Sequence, residues 1–135
     1  MSCIGVKITI TIHEGGTFDQ TFQWKAGEDV GTAVSVDLTG YTAEFTVREK
    51  LDSPNPLISI TQATSVWMAD GTSGVYFDDA DEGKYRVYVK DEDTDNICLY
   101  HKDLLGVYDL FLYSPAGEAV LKQYGTCKIK AAVTR

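Results

Sequence analysis

The residues best suited to bind a metal ion are clustered acids in the second half of the chain. Residues 78–95 hold eight acids against three bases, a net charge of −5 in a chain whose total is −8. Within this run Asp91, Asp93 and Asp95 alternate, and carboxylates on a loop are ligands that Ca²⁺ accepts. The glycine and the glutamate that complete an EF-hand loop are missing from their positions. A weak calcium site and a solvated acidic edge both stay open; we favour the second and expect no cofactor.

Catalytic signals are sparse. The two histidines, His13 and His101, have no metal-ligand spacing to each other or to any cysteine. No nucleophile elbow, P-loop or dinucleotide fingerprint occurs, so a small hydrolase is the least favoured class. Cys3, Cys98 and Cys127 are odd in number and widely spaced, which is typical of buried thiols in a reducing compartment. We therefore expect a protein that is not an enzyme.

Composition excludes several other classes. A chain of 135 residues, 44% hydrophobic and 24% charged, is typical of one folded globular domain. A pI near 4.6 argues against a nucleic-acid binder, which needs a basic surface. The sequence shows no apolar run as long as a membrane span and no signal peptide. We predict a single domain over residues 1–135, with neither a membrane nor a nucleic acid as partner.

Hydrophobic alternation with a period of two predicts strands through most of the chain. It is clear from residue 6 to residue 13, which we predict as one half-buried strand. Residues 107–113 are apolar on both faces, which indicates a central strand or one covered by a partner. The last strand, over about 118–129, places Leu121, Cys127 and Ile129 on one face. Turn signals between these segments complete the pattern of an all-β, antiparallel β-sandwich.

Positive charge is concentrated at the C-terminal end, where no acid follows residue 119. We hypothesise that the acidic run of one molecule docks on the basic end of a neighbour, a heterologous contact that builds rings or head-to-tail assemblies. The candidate interface residues are Asp78, Asp79, Asp81 and Glu82 on one side and Lys122, Lys128, Lys130 and Arg135 on the other. A chance asymmetry of charge explains the pattern at least as well.

Aromatic residues are the remaining signal, with eight tyrosines, five phenylalanines and two tryptophans. Tyrosine-rich strands occur both in sandwich cores and on protein-binding surfaces. Trp24 alternates with Phe18 and Phe22, so we expect it in the core. Trp67 is the candidate exposed aromatic, which keeps a carbohydrate-binding module among the alternatives.

Four segments, in order along nearly the whole chain, resemble one known family. Residues 15–25 resemble the opening G-D-T-F-x-x-T-F-x-W of small β-rich virion proteins of tailed bacteriophages and prophages. Residues 37–48 look like the D-L-T-G-Y-T-A-x-x-x-V-R element of that family. Residues 106–118 are similar to its Y-x-Y-D-L-x-L-x-S-P-D-G hairpin. Gly125-Thr126 and residues 133–135 match its common ending.

The resemblance implies an immunoglobulin-like β-sandwich without catalytic residues, in the tail, baseplate or fibre-attachment region of the virion. We expect an adaptor or connector subunit, present in multiple copies of a symmetric assembly with other virion proteins. Assembly would take place in the cytoplasm of the host bacterium. A capsid decoration or head–tail joining protein is the first alternative, and a module that binds host-surface glycans is the second.

Overall fold

The computed structural model describes residues 6–26, 34–50, 54–62, 72–95 and 102–131. Most of the regular structure in these ranges is β. The strands are β1 (Val6–Lys7), β2 (Ile10–His13), β3 (Phe18–Gln23), β4 (Lys25–Ala26), β5 (Val34–Ser35), β6 (Thr42–Arg48), β7 (Ile58–Thr61), β8 (Gly74–Asp79), β9 (Lys84–Val89), β10 (Leu104–Tyr113) and β11 (Ala119–Lys130). A 3-10 turn at Ala80–Glu82 and a one-turn helix, α1 (Asp91–Thr94), complete the regular elements of the described residues.

The strands form two main sheets. The larger has the order β1-β11-β10-β6-β7, with β2 also paired to β11, and the smaller has the order β3-β9-β8. A short pair, β4 with β5, stands outside both sheets. Because β10 lies between β11 and β6, the prediction of a central strand at residues 107–113 is confirmed.

The hydrophobic core lies between the two sheets. Phe45 and Leu110 of the larger sheet and Val75 and Val87 of the smaller one are almost completely buried. They belong to one cluster of buried side chains. Since burial is worth roughly 25 cal/mol per Å² of apolar surface, this shared cluster holds the two sheets together. The all-β prediction is confirmed for the described residues.

The prediction of a purely antiparallel arrangement is wrong at the N-terminal end. β1 and β2 both run parallel to β11, where Val6 pairs with Gln123 and Ile10 with Cys127. The predicted first strand is also interrupted, because Ile8 and the residue after it leave the ladder between β1 and β2. Hydrophobic alternation indicates which side chains face the core, but it does not indicate which strand will be the neighbour.

Gly125 makes room for this interruption. Its φ is 148°, and a Cβ on it would lie 2.5 Å from the carbonyl oxygen of Ile8. The same carbonyl accepts a hydrogen bond of 2.6 Å from the hydroxyl of Tyr108. The glycine therefore lets the first segment approach β11 closely, and the tyrosine satisfies the carbonyl there.

A chain of buried hydrogen bonds continues from this tyrosine across the core. Gln123 Nε2 donates to the Tyr108 hydroxyl oxygen at 3.1 Å, and the Tyr85 hydroxyl donates to Gln123 Oε1 at 2.9 Å. Tyr85 lies on β9 of the smaller sheet, whereas Gln123 lies on β11 of the larger sheet. We call Tyr85, Gln123, Tyr108 and the Ile8 carbonyl the interlayer relay. A buried amide is tolerated here because both of its ends are bonded.

Helix α1 fixes the turn between β2 and β3. Thr94 is buried, and its Oγ1 donates to the carbonyl of Gly16 at 2.7 Å. The Thr94 carbonyl in turn accepts from the amide of Gly15 at 3.2 Å. His13, at the end of β2, is exposed. The acidic segment at residues 91–95 is thus hydrogen-bonded to the N-terminal turn at Gly15 and Gly16.

We predict that Gly125→Ala lowers the free energy of unfolding by more than about 2 kcal/mol, because the new Cβ meets a backbone carbonyl in addition to an unfavourable φ. Gly117→Ala is the matched control. Its φ is 92°, yet a Cβ there meets nothing within 4 Å. It should therefore cost only about 1 kcal/mol. Urea denaturation of both variants measures the difference, and equal losses would contradict the role given to Gly125.

We also predict that Tyr108→Phe costs about 1–3 kcal/mol, because it leaves the Ile8 carbonyl without its donor and the Gln123 amide without its acceptor. Tyr113→Phe, on the same strand, removes a longer and exposed hydrogen bond of 3.4 Å to Glu44. This control should change the free energy of unfolding by less than about 0.5 kcal/mol. Thermal and urea denaturation give both values; indistinguishable losses would show that the relay adds little.

Candidate functional site

The candidate site is the face of β10 and β11 that points away from the core. Along β10, alternate residues bury Tyr108, Leu110 and Leu112, and the intervening residues point outward. The register pairs outward residues of β10 with residues of β11 on the same side. We call this surface the outer face; it comprises Leu105, Val107, Asp109, Phe111 and Tyr113 on β10 and Ala119, Leu121, Tyr124 and Thr126 on β11, with the exposed Lys128 beside Leu105 at one end.

The outer face is apolar and aromatic, and none of the described elements covers it. The rings of Phe111 and Tyr113 stack with their centroids 6.3 Å apart. Leu105 is 66% exposed, a high value for a large hydrophobic side chain. Between β10 and β11 the surface forms an open groove of about 360 Å³, with Lys7 at its rim. Exposed patches of this kind mark contact sites for other molecules.

Asp109 is the charged residue at the centre of the outer face. Burial raises the pKa of its carboxyl group; the positive charge of Arg48 opposes this shift, and the negative charge of Glu44 adds to it. A half-buried carboxylate within an apolar groove favours a partner that brings a donor or a positive charge to it. Asp109 therefore gives the groove a polar point of recognition.

A β-bulge in β11 determines which side chains reach the outer face. The register shifts between Leu110 and Phe111, so that Leu110 pairs with Gln123 while Phe111 pairs with Leu121. The prediction that Leu121 shares a face with the buried Cys127 is wrong for this reason, since a bulge changes the facing of all residues beyond it. The extra residue is Lys122.

Lys122 points to an aromatic ring. Its Nζ lies 4.7 Å from the centre of the Trp24 ring, and burial lowers the pKa of its ammonium group. The edge of Tyr41 meets the same ring, with centroids 6.3 Å apart. Trp24 packs against the core cluster, as predicted. A cation–π contact of this kind is stabilising, so the Lys122 ammonium group is engaged by an aromatic ring of its own chain.

The remaining basic residues of the predicted assembly interface are only partly described. Lys128 is exposed. Lys130 is also exposed, and its Nζ lies 3.5 Å from Asp103 Oδ2. The backbone amide of Ala131 donates to the same Asp103 carboxylate and lowers the pKa of that group. Arg135 lies outside the described residues.

The predicted acidic residues lie on β8, on the 3-10 turn after it and, beyond β9, on α1 and at its end. Asp78 and Asp79 end β8, and Asp79 pairs with Lys84 in the ladder. Asp81 and Glu82 are exposed on the 3-10 turn. The calcium candidates Asp91, Asp93 and Asp95 lie on α1 and at its end, and the described residues, which include all three, contain no group of three or more acids, histidines or cysteines placed to hold a metal ion.

Of the three cysteines predicted to be buried, Cys127 is completely buried in the core, as expected. Burial raises the pKa of its thiol to about 12. Such a thiol stays protonated at neutral pH and does not act as a nucleophile. Cys3, Cys98, His101 and the candidate exposed aromatic Trp67 lie outside the described residues.

Sequence reasoning missed two features. One is Asp109, which alternation could have found, because it is the charged residue among the outward positions of β10. The other is a second cleft, of about 430 Å³, between β7 and the loop that carries Ser73. Its opposite wall includes Asp93 of α1. No sequence pattern marks this cleft, since its two walls lie far apart along the chain.

Comparison with known proteins adds no relative: no protein-family model matches the chain, and neither does any curated protein. None of the helical segments in the described ranges has the length and apolar character that crossing a membrane requires. The function is therefore argued from the sequence and from the geometry given above.

We predict that Cys127 resists alkylation in the folded protein. In a Cys3→Ser, Cys98→Ser variant, iodoacetamide at about pH 8 should label it only after denaturant is added. Because the folded pKa is raised, the contribution of Cys127 to stability is full below the ordinary thiol value of 9.0 and declines as the pH rises toward 12. Mass spectrometry of the labelled chain is the readout. Equal labelling rates with and without denaturant would contradict burial of this thiol.

Proposed function

We propose that the chain is a non-enzymatic structural protein of a tailed phage virion, a tail or baseplate adaptor or connector subunit that assembles by protein–protein contacts. The observation that carries the contact role is the outer face. A central strand that is apolar on both sides needs a cover on each side, and within the described residues only its core side has one. Multiple copies on a symmetric particle would multiply such contacts by avidity.

We further propose that the fold is an immunoglobulin-like sandwich. The order β3-β9-β8 in one sheet and β11-β10-β6-β7 in the other corresponds to the strand orders B-E-D and G-F-C-C′ of that fold. The parallel pairing of β1 and β2 with β11 adds the N-terminal strand to the same edge. This order of strands supports the fold that the family resemblance implies.

The resembling segments coincide with turns and paired strands, which supports a structural origin of the motifs. Asp37 accepts hydrogen bonds from the amide and the hydroxyl of Thr39, at 3.0 and 2.6 Å, and so shapes the turn before β6. In the β10–β11 hairpin, the amide of Ser114 donates to the carbonyl of Glu118 at 2.9 Å. The residues that carry the resemblance are therefore those that fix turn geometry.

The alternatives differ in the surface that they need. A capsid decoration or head–tail joining protein would use the outer face in the same way, and only its position in the particle would differ. A glycan-binding module would need an aromatic ring open to a sugar. The Trp24 ring meets Lys122 and Tyr41, and the candidate ring for this role, Trp67, lies outside the described residues.

The proposal predicts that the chain is a stoichiometric component of phage particles. Particles from an induced culture that carries the gene should contain its peptides, detected by mass spectrometry after density-gradient purification. Separated tails should retain them, and separated capsids should not. Recovery with capsids would support the decoration or joining alternative. Absence from all particles would contradict a virion role.

In the same particles, Phe111→Glu should lower incorporation about tenfold or more, because a charge at the centre of an apolar contact must be desolvated. Thr21→Glu is the matched control, since Thr21 is exposed on the smaller sheet. Circular dichroism of both purified variants checks that they are folded. Equal incorporation of the two variants would rule out the outer face as the assembly surface.

A further inference from the structure

β7 is an edge strand of the larger sheet. It pairs with β6 on one side. On its other side, the described residues supply a single bridge, between Gln62 just beyond its end and Val75. An edge strand with unpaired backbone groups is a template for another extended chain.

The ladder with β6 shows which backbone groups of β7 are directed outward. The amide of Gln62 donates to the carbonyl of Ala43 at 3.0 Å, which makes these two residues a hydrogen-bonded pair. Hydrogen-bonded and non-hydrogen-bonded pairs alternate along an antiparallel ladder. Ile60 and Ile58 are therefore bonded to β6, whereas Ser59 and Thr61 direct their amides and carbonyls to the other side. There the bridge between Gln62 and Val75 brings β8 against the Thr61 carbonyl and leaves the groups of Ser59 and the Thr61 amide at the open edge. Both residues are exposed.

The open edge forms one wall of the 430 Å³ cleft, and the opposite wall is acidic and hydrogen-bonded. Its residues are Thr72, Ser73 and Asp93. The hydroxyl of Ser73 donates to the Asp93 carboxylate and accepts from the amide of Lys90 at 2.7 Å. A carboxylate has capacity for further donors, so Asp93 is held in place with acceptor sites left for a ligand.

We propose that this cleft binds an extended, basic segment of a partner protein, which adds to the larger sheet as a strand beside β7. The outward groups of Ser59 and the outward amide of Thr61 match the donors and acceptors of an extended main chain. Leu57 and Ile60, which are half-buried and pack against the core cluster, also line the cleft and give that segment apolar surface to contact. A Lys or Arg of the segment would pair with Asp93, whose neighbours Asp91 and Glu92 are also exposed acids.

A second copy of this chain fits the cleft less well than another protein does. The described part of its acid-free stretch lies mainly on β11, where the register with β10 and with β1 and β2 occupies both edges. A second β7 would bring its own Asp93 wall toward the first, and like charges repel.

The probe is a library of random dodecapeptides, selected on yeast against the folded chain. We expect the selected peptides to share a Lys or Arg among alternating apolar residues and to shift the amide NMR signals of residues 57–61 and 72–73. Thr61→Pro should weaken their binding about tenfold or more, because it removes an outward amide and leaves the β6 ladder intact. A selection that yields no peptide shifting these signals, or peptides without basic residues, would overturn the proposal.

A pair of isosteric variants tests the charge without touching the backbone. Asp93→Asn should raise the Kd of a selected peptide about tenfold or more, and Asp91→Asn, on the same helix but outside the cleft, should leave it within about twofold. Equal effects of the two variants would show that Asp93 contributes only to the overall negative charge of α1, and would overturn the proposed pairing. Sedimentation of the chain alone tests whether a second copy of the chain occupies the cleft. A dimer that Thr61→Pro abolishes would assign the cleft to that second copy and overturn the proposal. Because these measurements use no particles, they stand apart from the virion proposal.

Discussion

A glutamine amide buried between two sheets must have both of its ends bonded, and in this protein its partners are tyrosines of different sheets. Gln123 receives the Tyr85 hydroxyl from the smaller sheet and donates to Tyr108 of the larger one. Leaving either end unpaired would cost about 1–3 kcal/mol, whereas apolar packing tolerates small sliding movements. The interlayer relay therefore specifies how the sheets are aligned, beyond what the hydrophobic core requires. It also fixes the position of the N-terminal segment between β1 and β2, because the relay ends on the carbonyl of Ile8.

The same strand pair that carries the relay also makes the outer face. Tyr108 points inward and Asp109 outward on β10, and the bulge at Lys122 turns Gln123 inward and Leu121 outward on β11. Without the bulge, the inward and outward sets of β11 would be exchanged on one side of it. Either Gln123 would then leave the core or Leu121 would leave the outer face, depending on which side of the bulge kept its register. The relay and the candidate contact surface thus depend on one irregularity of the ladder.

Several elements could be predicted from the sequence because they follow from local alternation alone. The period of two over residues 107–113 corresponds to most of β10, and the two apolar faces of this segment indicated a central position. The parallel pairing of β1 and β2 could not be predicted, because alternation carries no information on neighbours. The facing of Leu121 was wrong because a bulge has no clear signal in sequence. The cleft beside β7 was missed because Ser73 and Asp93 meet β7 only in the folded chain.

A connector needs two contact surfaces that can be occupied at once, and the order of the larger sheet provides them. The outer face lies over β10 and β11, whereas the cleft lies at β7, with β6 between. At a strand spacing of about 4.8 Å, β7 and β10 are roughly 10 Å apart. A partner on the outer face approaches perpendicular to the sheet, whereas a strand beside β7 enters within the plane of the sheet. The two directions differ by about a right angle, so one partner need not displace the other. Because β6 joins β7 and β10 in a single hydrogen-bonded ladder, the relative orientation of the two proposed partners would be set by the sheet itself.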